Sequence, residues 1–151
     1  MSALKRKIEK GLVDYLASKA ELAIITVQSG SENNEAETPW LSVFASNESQ
    51  DSSLPAEAGV KLVNVRMQYQ ANVNDTTRSE VDTVVEEIGY FTEDLAGIQA
   101  AINKQADPDT RDTLGVHVYY VSLDSHSTDF DDDMWVEEIE ISVTCGQHDA
   151  L

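Results

Sequence analysis

The chain has 151 residues, enough for one domain whose core folds unaided and too few for two full ones. With 28 acidic against 10 basic residues its formal charge is −18, which makes duplex DNA, RNA and anionic membranes poor partners for the surface as a whole. A hydrophobic content of 41% argues against compositional disorder and one cysteine excludes an internal disulfide framework, while no apolar run reaches the about 18 residues of a membrane span, so the chain reads as soluble, without a signal peptide and made in a reducing cytoplasm.

In chain order, Leu4, Ile8, Leu12, Tyr15 and Leu16 recur at helical spacing with Arg6, Lys7, Lys10 and Asp14 on the opposite side of the wheel. This predicts an amphipathic first helix ending near Ser18. A β-branched run from Leu22 to Val27 follows, then the polar "QSGSENNEAET", then "PWLSVFAS", where Trp40, Ser42 and Phe44 alternate with Leu41, Val43 and Ala45. The two runs read as a hairpin with an extended tip. After a second polar loop, Val63, Val65, Met67, Tyr69, Ala71 and Val73 alternate with Asn64, Arg66, Gln68, Gln70 and Asn72, the pattern of a strand with one buried and one wet face.

Thr77, answered by Glu80, forms a capping box ahead of Val81, Val84, Val85 and Ile88, which predicts a helix that breaks at Gly89. A shorter helix from Glu93 to Asn103, capped by Thr92, carries Leu95, Ile98 and Ile102. Two strands close the chain, Val116 to Leu123 and Trp135 to Cys145, the second with Trp135, Ile139, Ile141, Val143 and Cys145 inward and Glu137 interrupting that row. The order predicts a single α+β domain over 1–151: an antiparallel or mixed β-sheet of about five strands, with the N-terminal helix and one or two further helices packed on one face.

Candidate chemistry is sparse. In "STDFDDDMWVEEIE", Asp129, Asp131, Asp133, Glu137 and Glu140 stand where an EF-hand has its ligands, but Met134 occupies the place of the turn glycine and strand alternation follows, so the segment reads as a solvated acidic turn. In "DSHS", Asp124 to Ser127, the residue types of a hydrolase triad are adjacent and point apart, with no nucleophile elbow nearby. His117, His126 and His148 are too scattered for zinc, and Cys145 on an apolar strand face reads as a core residue. No catalytic residue, metal ligand or cofactor motif emerges. Arg66 and Gln68 are either ordinary wet-face residues or part of a partner surface, and Trp40 is either core or an interface anchor.

The succession of "ALKRKIEKGLVDYL", "LAIITVQSG" to "PWLSVFAS", "VKLVNVRMQYQANVNDTTRSEVDTVVEEI", and "VHVYYVSL" to "WVEEIEISVTC" resembles the small tail terminator and tail completion proteins of long-tailed bacteriophages over residues 3–145. Phe91 to Asn103 is a departure or an insertion relative to that pattern. The resemblance implies a structural virion protein, not an enzyme, in the tail or neck: a homo-oligomeric ring, usually a hexamer, that caps the tail tube, joins it to the head connector and lets DNA pass without specific binding. The alternatives are a head-completion or neck connector protein of the same region, and a small monomeric acidic binding module. For a ring, the candidate contact joins the basic start of the first helix, Lys5, Arg6, Lys7 and Lys10, to an acidic surface made by Asp129, Asp131, Asp132 and Asp133 or by Glu32, Glu35 and Glu37, with Trp40 as an apolar anchor.

Overall fold

A computed structural model describes residues 3–23, 25–30, 39–50, 60–74, 76–105, 114–131 and 133–149. Helix α1 (Ala3–Ala17) leads through a 3-10 turn (Ala20–Leu22) to strands β1 (Thr26–Ser29), β2 (Trp40–Gln50) and β3 (Val60–Asn72). Helices α2 (Arg78–Phe91) and α3 (Leu95–Asn103) follow, then β4 (Leu114–Asp131) and β5 (Met134–Asp149). The five strands form one mixed sheet in the order β1-β2-β3-β5-β4, so the fold is α+β as expected.

The strand alternation of the sequence becomes one buried sheet face. Leu41, Val43 and Ala45 of β2, Val63 to Ala71 at every second position of β3, and Ile139, Ile141, Val143 and Cys145 of β5 join the buried stripes of the helices in one core. Cys145 is fully buried, and burial pushes its thiol up to about 12. The thiolate is the nucleophile. The native protein should therefore resist iodoacetamide at pH 8, and labelling should appear only with unfolding by urea; rapid modification of folded protein would contradict this burial.

Several local expectations are corrected. The first two strands are not a hairpin: β1 runs parallel to β2, with Thr26 opposite Trp40 and Ser29 opposite Val43. Alternation identifies a strand but carries no direction, and because β1 spans only about 13 Å the intervening residues 30–39 can carry the chain back to the same end. Leu22 lies in the 3-10 turn instead of a strand. Helix α2 does not break at Gly89 but continues to Phe91, whose buried ring lies 6.1 Å from Tyr15, so packing beyond the glycine holds the last turn. Helix α3 is capped by Asp94, not Thr92; the Thr92 hydroxyl instead donates to the Gly89 carbonyl of α2. Strand β4 runs on past Leu123 to Asp131, since its second half, exposed on both faces, is defined by pairing with β5 and has no apolar alternation to announce it.

Helix α1 also buries a wider arc than its wheel suggests. It packs against β1 and β2 on one side and α3 on another. Lys7, expected on the wet side, is only 8% exposed, and Glu9 is completely buried.

Tyr15 ties α1 to the junction of α2 and α3. Its hydroxyl donates to Asp94 Oδ2 at 2.7 Å, while Asp94 Oδ1 accepts the Gly97 amide at 3.1 Å. The Tyr15 hydroxyl first and the Gly97 amide second hold the Asp94 carboxyl below its ordinary range. Because the unfolded chain lacks that depression, the stabilisation from Asp94 is present above about pH 4 and is lost as pH falls through the folded value. Asp94→Asn keeps a cap acceptor but removes the titration. Wild type should exceed this variant in urea midpoint at pH 7, with the difference shrinking towards pH 3; a difference independent of pH would refute the assignment.

Candidate functional site

The chemistry of this fold is concentrated at its sheet edges and around the buried carboxylates of Glu137 and Glu9. Glu137, which interrupts the inward row of β5, is fully buried opposite Tyr69. Arg78 Nη1 donates to its Oε1 at 3.0 Å, the Thr128 hydroxyl donates to Oε2 at 2.7 Å, and His126 Nε2 lies 2.8 Å from Oε2. Arg78 also pairs with Asp82 at 3.1 Å and sits 5.2 Å from the centre of the Trp135 ring. Burial, followed by the charges of Glu80 and Glu137, pushes the Tyr69 phenol up to about 12. The cluster joins the N-terminus of α2 to β4 and β5. A buried charge of this kind is held by having each oxygen engaged.

Side chains from the helices finish parts of both sheet edges. Beyond the register of β1, the Ala45 amide of β2 donates to Glu9 Oε1 at 2.9 Å, while the Ser29 hydroxyl donates to Glu9 Oε2. On the other edge, Asn103 of α3 imitates a strand: it accepts the Val116 amide at 2.8 Å and donates to the Val116 carbonyl at 2.9 Å. One turn earlier, Gln99 accepts the Val118 amide at 2.9 Å. Near the far end of β4 the Phe130 amide donates to Asp129 Oδ1 at 2.8 Å. The signals for these caps were a polar residue flanking the apolar stripe of α1 and a Gln and Asn four apart on α3, a spacing that places them on one helix face.

Between its capped ends β4 carries two irregularities, at Tyr119 and Asp124, and a series of exposed apolar side chains: Tyr119, Tyr120, Leu123 and Phe130. On β2 a matching irregularity falls at Ser46. The irregularities at Ser46 and Asp124 adjoin one cross-sheet row, Ala45, Val65, Ile141 and Leu123, and border a shallow pocket of about 240 Å³ lined by Ser46, Asn64, Arg66, Asp124 and Glu140. Polar groups there are mutually engaged: the Ser142 hydroxyl donates to Asp124 and lies 3.1 Å from Asn64 Oδ1, and Arg66 lies 3.4 Å from Glu140. Gln68 likewise donates to Glu138 at 3.4 Å, so the wet face of β3 is cross-strand pairing.

Among the described residues, those predicted for the contact between copies lie on α1, at the start of β2 and around the β4–β5 turn. Lys5, Arg6 and Lys10 are half-buried, Lys7 is buried, and each is already engaged by neighbours. Reversing the charge of Lys7 would test folding before it tested association. Trp40 starts β2 opposite Gln70, half-buried on the face away from Leu41. Asp129 is exposed on β4, Asp131 ends that strand opposite Met134, and Asp133 occupies the turn with φ 63°, a left-handed conformation that Asp tolerates. The acidic segment is thus a strand, a tight turn and a strand, which is not the helix-flanked frame of an EF-hand. Glu32, Glu35, Glu37, Asp132 and the side chain of Asp131 lie outside the described residues.

What the fold and these surfaces define is an α+β protein with a five-stranded mixed sheet, helices on one face and partly capped edges. None of its described helices is long and apolar enough to cross a membrane. A scan against protein-family models finds no match, and neither does a search of the curated proteins.

Proposed function

We propose that this protein is a structural subunit of a bacteriophage virion, a tail-terminator-like component that forms a homo-oligomeric ring, caps the tail tube and meets the head connector. The observation that carries the reading is β4: an 18-residue edge strand on a chain of charge −18 that nevertheless exposes Tyr119, Tyr120, Leu123 and Phe130. Exposed apolar groups along an edge strand are what association uses and what a lone soluble protein suppresses. The reading draws on the element order, with the N-terminal helix first and the long hairpin last, although the first two strands are parallel where the resemblance has a hairpin, and the acidic surface suits a wall past which DNA slides without sticking.

Light scattering coupled to gel filtration, followed by negative-stain imaging, tests the reading. The expected result is a closed ring, six copies by the resemblance, at micromolar protein. A monomer at every accessible concentration would refute it and would favour the acidic binding module.

A further inference from the structure

Two strands of the sheet are distorted along the same line. The irregularity of β2 at Ser46 and that of β4 at Asp124 adjoin one cross-sheet row, although β3 and β5 lie between them in unbroken register. An extra residue bends its strand and re-aims a side chain, and such bulges collect beside binding sites. Here Ser46 and Asp124 line the pocket of about 240 Å³ together with Asn64, Arg66 and Glu140, on the sheet face away from the buried Val65 and Ile141.

The lining presents two poles of opposite charge. Asp124 is exposed, yet its carboxylate is fixed by two serines: the Ser122 hydroxyl donates to Oδ1 at 2.9 Å and the hydroxyl of buried Ser142 donates to Oδ2. A carboxylate oxygen accepts more than one bond, so both can still take a donor from a ligand. Arg66 is the positive pole. Its Nε forms an ion pair with Glu140 at 3.4 Å and its side chain is 61% exposed. Among the described residues the guanidinium makes no hydrogen bond, and its planar fork matches a carboxylate.

We infer that the pocket binds a small zwitterion, a free α-amino acid with a short polar side chain, whose carboxylate meets the Arg66 fork and whose ammonium meets Asp124. The ligand class follows from charge. A chain of charge −18 repels a free anion, and Arg66 repels a simple cation at contact, whereas a dipolar ligand of no net charge suffers neither and answers both poles. Size agrees, since the pocket lies below the about 300 Å³ at which pockets for drug-sized ligands begin. Its two apolar members, Val65 and Ile141, are buried, so a large apolar side chain on the ligand would find no partner there. The site lies within a single copy of the chain, and the inference goes beyond the ring reading without depending on it.

Saturation-transfer difference NMR with L-serine as the probe tests this, because it reads weak binding to a monomer and to a ring alike. Serine should bind. L-serine methyl ester, which lacks the carboxylate, and N-acetyl-L-serine, which lacks the ammonium, should each bind at least about tenfold more weakly, the scale of one lost hydrogen bond to a charged group. Arg66→Gln and Asp124→Asn should each weaken serine by a similar factor at an unchanged melting temperature; if either variant fails to fold, the two analogues decide alone. An ester that binds as well as serine would overturn the role of Arg66, and an equal N-acetyl derivative that of Asp124, and with either the zwitterion assignment. No transfer at about 10 mM serine, ample for a millimolar site, would overturn the inference outright and leave the ring reading standing.

Discussion

Alanine at Gly11 should destabilise the fold by about 1–2 kcal/mol, the overpacking cost less the helix-propensity gain, whereas alanine at Gly89 should stabilise it by about 0.5–1 kcal/mol. The same chemical change carries opposite signs because the surroundings differ. At Gly11 an added Cβ would stand 2.6 Å from Ile102 Cα and 2.9 Å from its backbone nitrogen, so α1 and α3 would have to move apart; no rotamer change can relieve a clash with backbone. At Gly89 nothing lies within 4 Å of the added atom, and the residue is inside a continuous helix, so only the loss of unfolded-state freedom is felt. Urea unfolding with unchanged slopes measures both. If Gly11→Ala were neutral, the close crossing of α1 and α3 would be wrong; a loss at Gly89→Ala would instead mean that the helix ends there.

Truncating Glu137 to alanine should cost about 3 kcal/mol, the lower end of the range for breaking a buried ion pair, because Arg78 and His126 both reach solvent and recover part of their hydration. Arg78 would retain Asp82, but the Thr128 hydroxyl and the His126 ring would lose the acceptor that fixes them at the edge of the sheet. Glu137→Gln separates shape from charge. It should fall between wild type and alanine, since an amide oxygen still accepts one bond while its NH2 group opposes donors. A glutamine variant as stable as wild type would show that the charge contributes nothing, and the cluster would then be a packing feature alone. Both variants are best compared with wild type at one protein concentration, since any association would add to the measured stability.

The edges illustrate why some of this was legible in advance and some was not. Val63 to Ala71 and Ile139 to Cys145 alternate because each strand has one face in the core, and that periodicity is written residue by residue. The N-cap of α2 was readable for the same reason, since Thr77 and Glu80 are three residues apart and meet locally, with the Glu80 amide donating to Thr77 at 3.3 Å. The partners of Glu9, Gln99 and Asn103 are 36, 19 and 13 residues away, and nothing local distinguishes a polar residue that closes a sheet edge from one that meets solvent.

By itself, then, the sequence determined the class of the fold, the identity and spacing of most elements, the inward rows of β3 and β5, and a surface charge hostile to polyanions. These follow from composition and from periods of 2 and 3.6 residues, which are properties of neighbours along the chain. Only the tertiary structure decided that β1 runs parallel to β2, that β4 continues to Asp131, that Lys7 and Glu9 are buried, that Glu137 is matched by Arg78, His126 and Thr128, and that Asn103 and Gln99 close the β4 edge at Val116 and Val118. Each depends on which distant segment arrives alongside, and strand direction, edge position and the partner of a buried charge are set by that arrival, for which the local pattern has no sign.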